Sequence, residues 1–253
     1  MIVGGGVMGC AAAWQAARRG LSVILLEQFQ EGHTVGASHG ATRNFNLGYE
    51  QDDYLGLGLE ARGLWDELAT EAGRPMLDLA GLISHGWVEP LRRVARSHER
   101  WGIDSAFLSP GEAGARWPGM RFRSDVLHVP AAGRVRAADA LVAFREVATA
   151  AGADFRYSTP VREIAADGPA AVVVTDRDEV RSRRAIITAG AWSSSLLAPL
   201  LEPPKLVVTQ EQPAHFAALD PTYEWPSFNH TPDPDEPDDA YWYSPTYGML
   251  APG

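Results

Sequence analysis

The first 27 residues contain two short apolar runs separated by a segment of small residues. Ile2 and Val3 end at a row of glycines, and residues 23–26 form the second apolar run. Short apolar runs bounded by glycine predict buried strands. Between them, the alanine-rich residues 10–19 end at Gly20, which is typical of a helix C-terminus. The pattern predicts a strand–helix–strand unit over residues 2–27.

Apolar positions further along the chain recur at helical and at strand spacing. Residues 57, 61, 64 and 68 lie on one helical stripe that follows Asp52 and Asp53, which predicts a helix from there to about Glu71. Further helices are predicted from Pro90 to Trp101 and over residues 137–150. Strands are predicted at 81–83 and 152–157, and residues 171–188 form a hairpin with its turn at 176–178.

Gly4, Gly6 and Gly9 fill a G-x-G-x-x-G motif between the first strand and the first helix. Such glycines allow a tight turn, close approach of the backbone to a pyrophosphate, and close packing of helix on sheet. The helix N-terminus supplies free N–H groups and partial positive charge. Glu27 ends the second strand, 18 residues past Gly9, where a carboxylate accepts hydrogen bonds from a ribose diol. A glycine-rich turn alone is often only a turn, but these elements in this order predict a dinucleotide-binding unit.

Composition excludes several classes of partner. Hydrophobic residues make up 45% of the chain, which is ample for a folded core. The net charge of −10 argues against nucleic acid or an anionic membrane surface as a partner. The single cysteine, Cys10, excludes an internal disulfide and favours a reducing compartment. With no apolar run near the ~20 residues of a membrane span and no signal-like N-terminus, the sequence predicts a cytoplasmic protein.

Residues 36–43 read Gly-Ala-Ser-His-Gly-Ala-Thr-Arg and follow the second strand. Glycine and serine let the backbone approach a ligand, while Arg43 supplies charge and forked donors. His39 adds a donor that can titrate, with a structural loop histidine as the alternative. This stretch resembles the corresponding loop of the D-amino-acid-oxidase superfamily, in particular the branch of monomeric sarcosine oxidase and N-methyltryptophan oxidase.

The resemblance implies an α/β fold with a glutathione-reductase-like FAD-binding Rossmann domain. An interleaved α+β substrate domain, built on an antiparallel sheet, is implied beside it. By this assignment, residues 1–80 and 137–200 form the FAD-binding domain. Residues 81–136 and 201–253 form the substrate domain, which we expect to be incomplete at its C-terminus because chains of this family continue further.

FAD is the cofactor that the resemblance implies. It is expected to be held non-covalently, since the only thiol, Cys10, lies at the phosphate end of the motif. The backbone of Val161 corresponds to the position that meets adenine, and residues 188–192 resemble the segment that closes the nucleotide site. The alternative for that segment is an ordinary loop that ends at a glycine. The expected FAD-binding residues are Gly4, Gly6, Val7, Met8, Gly9, Glu27, Gln28, Ser38, Thr42, Arg43, Val161, Ala189, Gly190 and Trp192.

The resemblance also implies a reaction, the oxidation of the C–N bond of a secondary amine or an N-methyl amino acid. Oxygen is the implied acceptor, giving an imine and hydrogen peroxide. His39, Arg43 and Tyr241 are the candidate catalytic residues, and Asn46 and Tyr241 the candidate substrate contacts. The family loop commonly continues Thr-Arg-Ile-Ile-Arg, whereas here Asn46 stands at the position of the second arginine, which binds the substrate carboxylate. A neutral amide does not reproduce that charged contact, so small amino acids such as sarcosine are expected to be poor substrates.

Two other functions stay open at this point. One is a non-catalytic FAD-binding fragment or subunit completed by another polypeptide, and the other is a nicotinamide-dependent dehydrogenase. Residues 36–43 and 188–192 favour flavin over nicotinamide. The proline-rich acidic loop at 232–239 does not predict a calcium site, because its prolines prevent the ligands from converging. The expected partners are a small amine and oxygen, with no metal. Since part of the family pattern lies beyond Gly253, we expect the isolated chain to turn over poorly.

Overall fold

The computed structural model describes residues 1–217, 220, 222–234 and 245–250. These residues form six α-helices and fifteen strands. The helices are α1 (Val7–Ala17), α2 (Asp52–Ala72), α3 (Val88–Trp101), α4 (Pro110–Arg116), α5 (Ala137–Ala150) and α6 (Ser193–Leu197).

Most strands are short. They are β1 (Ile2–Val3), β2 (Ile24–Leu26), β3 (Thr42–Phe45), β4 (Leu77–Asp78), β5 (Leu82–Gly86), β6 (Ala106–Leu108), β7 (Val126–Val129), β8 (Gly133–Arg136), β9 (Asp154–Arg156), β10 (Val161–Asp167), β11 (Ala170–Thr175), β12 (Glu179–Ser182), β13 (Ile186–Ile187), β14 (Ser227–Thr231) and β15 (Thr246–Gly248). The predicted strand–helix–strand unit is confirmed as β1–α1–β2. The hairpin predicted over residues 171–188 is confirmed as β11–β12, which ends at Ser182.

The chain divides into two compact units. The first comprises residues 1–40 and 137–214, and the second comprises residues 41–136 and 215–253. The sequence assignment placed residues 41–80 with the FAD-binding domain, whereas here they lie in the second unit. The reason is strand pairing, because β3 and β4 both pair with β8.

The first unit is built on a four-stranded parallel sheet with the order β13-β1-β2-β9. Parallel neighbours need long crossovers, and α1 supplies the one between β1 and β2. Helices α1 and α5 pack together, with the rings of Trp14 and Phe144 5.6 Å apart. A three-stranded antiparallel sheet, β10-β11-β12, packs on the parallel sheet through a buried cluster. That cluster contains Val3, Leu26, Ile164 and Val173.

The second unit contains two sheets. One is five-stranded with the order β15-β14-β5-β7-β6, and the other is three-stranded with the order β3-β8-β4. Both are antiparallel, as predicted, apart from the parallel pair of β14 and β5. The larger sheet packs against α4 through the buried residues Ile83, Ala113, Trp117 and Val126. Among the helices that the structure describes, none is both long and apolar enough to cross a membrane.

Candidate functional site

The turn after β1 is shaped by Gly4. Its φ is +103°, in a region that favours glycine, and its N–H donates to the Leu26 carbonyl oxygen at 2.8 Å. A Cβ at this position would lie 2.5 Å from the Thr188 carbonyl oxygen. The turn therefore depends on a residue with no side chain, as the glycine motif predicts.

Gly9 brings helix α1 against the end of β1. A Cβ on Gly9 would lie 1.9 Å from the Gly4 carbonyl oxygen and 2.8 Å from Thr188 Oγ1. That hydroxyl lies within hydrogen-bonding distance of the carbonyl oxygens of Val3, at 3.0 Å, and Gly4, at 2.9 Å. The Thr188 hydroxyl therefore links the residue after β13 to the glycine turn. The sequence analysis included Thr188 in the segment 188–192 but did not predict the hydrogen bonds of its hydroxyl.

The N-terminus of α1 is open toward a ligand. Its N-cap, Gly6, has no side chain to cap the helix, and the Val7 N–H donates to Ser38 Oγ at 3.0 Å. Met8, in the same turn, is 70% exposed. Free N–H groups and the positive end of the helix dipole make such a terminus a site for phosphate groups. The structure therefore brings together Gly6, Val7, Met8 and Ser38, four of the residues that the sequence analysis assigned to the cofactor.

Glu27 is a buried carboxylate held by backbone donors. It is 6% exposed, and its Oε2 accepts a hydrogen bond from the Gly5 N–H at 2.7 Å, while Oε1 accepts from the Phe29 N–H at 2.9 Å. His33 Nε2 lies 3.5 Å from Oε1. A carboxylate offers about four lone-pair positions, so Glu27 retains capacity for a ribose hydroxyl. Sequence reasoning did not identify His33, because no motif marks a loop histidine six residues past the acid.

The backbone just before Val161 is hydrogen-bonded to the residues that follow strand β2. Thr159 N–H donates to the Glu27 carbonyl oxygen at 2.8 Å, and Ser158 N–H donates to that of Phe29 at 2.9 Å. Ser158 has a φ of +50°, which turns the chain there. Val161 then begins β10 opposite Thr175. Val161, which is predicted to contact adenine, therefore follows a turn that is hydrogen-bonded to the Glu27 backbone.

The segment 189–192 forms a short 3₁₀ turn, Gly190–Trp192, with Ala189 at its start. The Trp192 ring lies edge-on to Phe29, with centroids 5.6 Å apart, and Phe29 lies 4.8 Å from His33. Gln28 is partly buried between Glu27 and Phe29 in the chain. A row of rings therefore borders the end of β2, next to the carboxylate that was assigned to the ribose.

Cys10 carries an unreactive thiol. Its pKa is raised to about 12, first by burial and then by the negative charge of Glu27. Its Sγ also donates to the Gly5 carbonyl oxygen at 3.2 Å. Because the thiolate is the reactive form, this cysteine is suited to packing rather than to covalent chemistry.

The other residues predicted for the flavin side are His39, Thr42 and Arg43. His39, in the first unit, is exposed, and its Nδ1 lies 2.5 Å from the Gly36 carbonyl oxygen. Thr42 and Arg43 belong to the second unit, on β3. Thr42 Oγ1 donates to the Val135 carbonyl oxygen at 3.2 Å, and the Arg43 Nη1 donates to the Thr42 carbonyl oxygen at 2.7 Å.

Of the two predicted substrate residues, the structure describes Asn46 but not Tyr241. Asn46 Oδ1 accepts a hydrogen bond from the Gly48 N–H at 2.7 Å, so this amide oxygen is engaged in a local turn. Tyr241, predicted both as a catalytic and as a substrate residue, lies outside the described residues.

The glycine turn, the open helix terminus and the buried acid agree with what a family comparison finds. A profile of the DAO family, described as FAD dependent oxidoreductase, matches residues 1–252. The chain belongs to this family. The resemblance that the sequence analysis stated is thereby confirmed, and FAD is the cofactor of the family. The hydrogen-bond donors of the glycine turn fit FAD. Gly4 and Gly9 have no room for a side chain, so the backbone at the start of α1 is left bare for the pyrophosphate.

Curated relatives of the chain are N-methyl-L-tryptophan oxidases. That of Escherichia coli (strain SMS-3-5 / SECEC) is 32% identical over 206 residues, and that of Salmonella heidelberg (strain SL476) is 30% identical over 205 residues. In both cases the match covers 79% of this chain and 55% of the relative. The chain therefore spans about half the length of these relatives.

Solved structures with a similar fold include an amino acid oxidase and a glycine oxidase. NikD, described as an unusual amino acid oxidase essential for nikkomycin biosynthesis, is 28% identical with a TM-score of 0.72. The match covers 79% of this chain and 53% of NikD. Glycine oxidase from Geobacillus kaustophilus is 26% identical with a TM-score of 0.66, over 78% of this chain and 56% of that one. The predicted fold class, an FAD-binding Rossmann-type domain with a substrate domain, is confirmed.

Proposed function

We propose that this chain binds FAD through its first unit and takes part in the oxidation of the C–N bond of a secondary amine. The observation that carries the proposal is the glycine turn of β1–α1 with the buried Glu27 at the end of β2. The N–H groups at the start of α1 would receive the pyrophosphate, with Ser38 beside them. Glu27 would accept hydrogen bonds from the ribose, and Val161 and the 189–192 turn would border the adenine.

FAD supplies a two-electron acceptor for the oxidation when it is bound. The chain's own contribution is to bind and orient the cofactor and to exclude water from it. Attachment is proposed to be non-covalent, and the inert Cys10 thiol is consistent with this. A single cysteine also agrees with the reducing cytoplasm as the compartment in which the protein acts.

The proposed substrates are secondary amines or N-methyl amino acids, and the names of the relatives support the second of these. Oxygen is the proposed electron acceptor, with an imine and hydrogen peroxide as products. His39 and Arg43 are proposed to act at the flavin side. Both side chains are exposed, and an imidazole and a guanidinium are groups that can donate hydrogen bonds.

The experiment is a titration of the purified chain with FAD, followed by flavin and tryptophan fluorescence. Glu27→Gln keeps the side-chain shape but removes the charge that a ribose hydroxyl would meet. Since a hydrogen bond to a charged group contributes roughly 1.5–3 kcal/mol, we expect the Kd for FAD to rise by about 10- to 150-fold.

Glu163→Gln is the matched control, because Glu163 is an exposed carboxylate in the same unit, and its FAD affinity should not change. NADP⁺ should bind more weakly than FAD, since its 2′-phosphate would face the Glu27 carboxylate. Tighter binding of NADP⁺ than of FAD, or an unchanged FAD affinity in Glu27→Gln, would contradict the proposal.

A further inference from the structure

Two histidines lie side by side on neighbouring strands of the five-stranded sheet in the second unit. Strand β14 pairs with β5 in parallel, and in this register His230 lies opposite His85. Directly opposed residues project to the same face of a sheet. The two imidazole rings therefore share one face, and their centroids are 4.8 Å apart.

This face of the sheet is the one that packs against helix α4. Side chains alternate between the two faces of a strand, so the histidines share the face of Ile83 and Phe228, which precede them by two residues. Ile83 belongs to the buried cluster that includes α4, and Phe228 packs against that cluster. Phe122 packs there too, and its ring lies edge-on to His85 with the centroids 5.2 Å apart. The strand register and the aromatic neighbour together hold the partly buried pair in position.

The distance between the two histidines matches the geometry of a bound zinc ion. Their Nδ1 atoms are 3.3 Å apart, whereas a hydrogen bond with an N–H donor is usually shorter, about 2.9–3.0 Å to oxygen. Zinc binds imidazole nitrogen at about 2.0–2.1 Å with tetrahedral angles, which places two such nitrogens roughly 3.3–3.4 Å apart. At the same bond length, ligands at right angles, as in tetragonal Cu²⁺ sites, would lie about 2.9 Å apart.

We propose that His85 and His230 form a zinc-binding site that links strand β14 to strand β5. Each histidine supplies the lone pair of its Nδ1 atom, and neutral imidazole is a ligand well suited to zinc. Among the residues that the structure describes, no group of three or more histidine, cysteine or acidic side chains is placed to hold a metal. Water or a small anion therefore completes the tetrahedron, and the site differs from the closed four-ligand type of structural zinc site.

The link joins parts of the chain that are far apart in sequence. His85 and His230 are separated by 145 residues, which is why the sequence predicted no metal: only the strand pairing brings them together. A metal that both strands bind stabilises the folded state, and links that close long loops have the largest effect in theory. The site does not depend on the proposed function, because the contacts proposed for FAD on the glycine turn and at Glu27 lie in the first unit.

The test is titration of the metal-free chain with zinc chloride near neutral pH, followed by calorimetry and by thermal unfolding. We expect one zinc ion per chain and, at 100 times the Kd, a rise in Tm of roughly 5–10 °C. His85→Gln and His230→Gln should each weaken zinc binding at least about tenfold, because even the loss of an outer-shell partner costs 10- to 100-fold. His215→Gln, at an exposed histidine, is the matched control and should leave zinc affinity unchanged.

X-ray absorption of the wild-type chain with zinc separates metal binding from any effect of the variants on folding. The spectrum should show two imidazole nitrogens at about 2.0–2.1 Å from the metal. Circular dichroism should show that the variants are folded, and each Tm rise is measured against the same variant without zinc. Wild-type zinc affinity in both His85→Gln and His230→Gln would overturn the proposal, as would a zinc ion bound by oxygen alone. FAD affinity should be the same with and without zinc, so a failure to bind FAD would overturn only the proposed function.

Discussion

Gly9 fixes the distance between helix α1 and the end of strand β1. A Cβ at this position would lie 1.9 Å from a backbone oxygen, that of Gly4, so Gly9→Ala would force the helix and the strand apart. The N–H groups at the start of α1 would move with the helix. We expect Gly9→Ala to lower FAD affinity at least tenfold and to lower the Tm by several degrees, as measured by fluorescence titration and thermal unfolding.

Gly63→Ala is the control for this prediction. Gly63 lies in the exposed part of α2, where a Cβ would meet no atom within 4 Å. Both substitutions gain the same helix propensity, about 1 kcal/mol, so a difference between them isolates the clash. Equal FAD affinity and equal stability in the two variants would show that α1 tolerates a side chain at Gly9.

Single residues differ in how far the sequence revealed their role. Glu27 was predictable, because the end of an apolar strand and the preceding glycine motif are local signals. Asn46 was interpreted by its position in a family pattern, yet its amide oxygen caps a turn, as an asparagine with an N–H two residues ahead often does. The hydrogen bonds of the Thr188 hydroxyl to Val3 and Gly4 depend on β13 becoming a neighbour of β1, and the local sequence does not contain that information.

For helices and strands as well, features set by local signals were predicted, whereas pairings between distant segments were not. The β1–α1–β2 unit was predicted because each of its boundaries is set by nearby glycines and by apolar spacing. The pairing of β3 and β4 with β8 was not predicted, since it joins segments that lie far apart in the chain. The parallel pair of β5 and β14 also joins distant segments, His85 and His230 being 145 residues apart. Such a register is decided by the packing of whole sheets.

That parallel pair places two histidines side by side. The Nδ1 atoms of His85 and His230 lie 3.3 Å apart, and the pKa of His85 is lowered to about 4, first by burial and then by the charge of His230. Burial also lowers the pKa values of His98, on α3, and His128, on β7. In the unfolded chain these groups bind protons near pH 6.5. The folded second unit therefore favours the neutral form of all three.

The consequence is a loss of stability in mild acid. Because these pKa values are lower in the folded state, the stabilisation is fully present above pH 6.5 and is lost as the pH falls toward about 4. Each histidine adds a slope of at most ~1.4 kcal/mol per pH unit to the free energy of unfolding. Denaturant unfolding at several pH values should show this slope and should show a shallower one in His85→Gln. His215→Gln, at an exposed histidine, is the control and should leave the slope unchanged. If His85→Gln had the same slope as the wild-type chain, His85 would not be one of the histidines that destabilise the fold in acid.

At the scale of the whole molecule, the proposed contacts to FAD belong mainly to the ADP half of the cofactor. The glycine turn, Ser38, Glu27 and Trp192 all lie in the first unit, and they are assigned to the pyrophosphate, the ribose and the adenine. We therefore expect ADP to compete with FAD for the chain and FMN, which lacks the adenosine, to compete poorly. A ligand that binds only the folded state stabilises it by about 2.7 kcal/mol at 100 times its Kd.

For a chain of 253 residues, each kcal/mol corresponds to roughly 2–4 °C in Tm, so FAD at this concentration should raise the Tm by about 5–10 °C. ADP should give a rise of the same order at 100 times its own Kd, whereas FMN at the concentration used for FAD should give almost none. Glu27→Gln should reduce the effect of FAD and of ADP together, because both would place a ribose on that carboxylate. Stabilisation by FMN equal to that by FAD would contradict this assignment, since it would mean that the isoalloxazine end, rather than the β1–α1–β2 unit, provides most of the binding free energy.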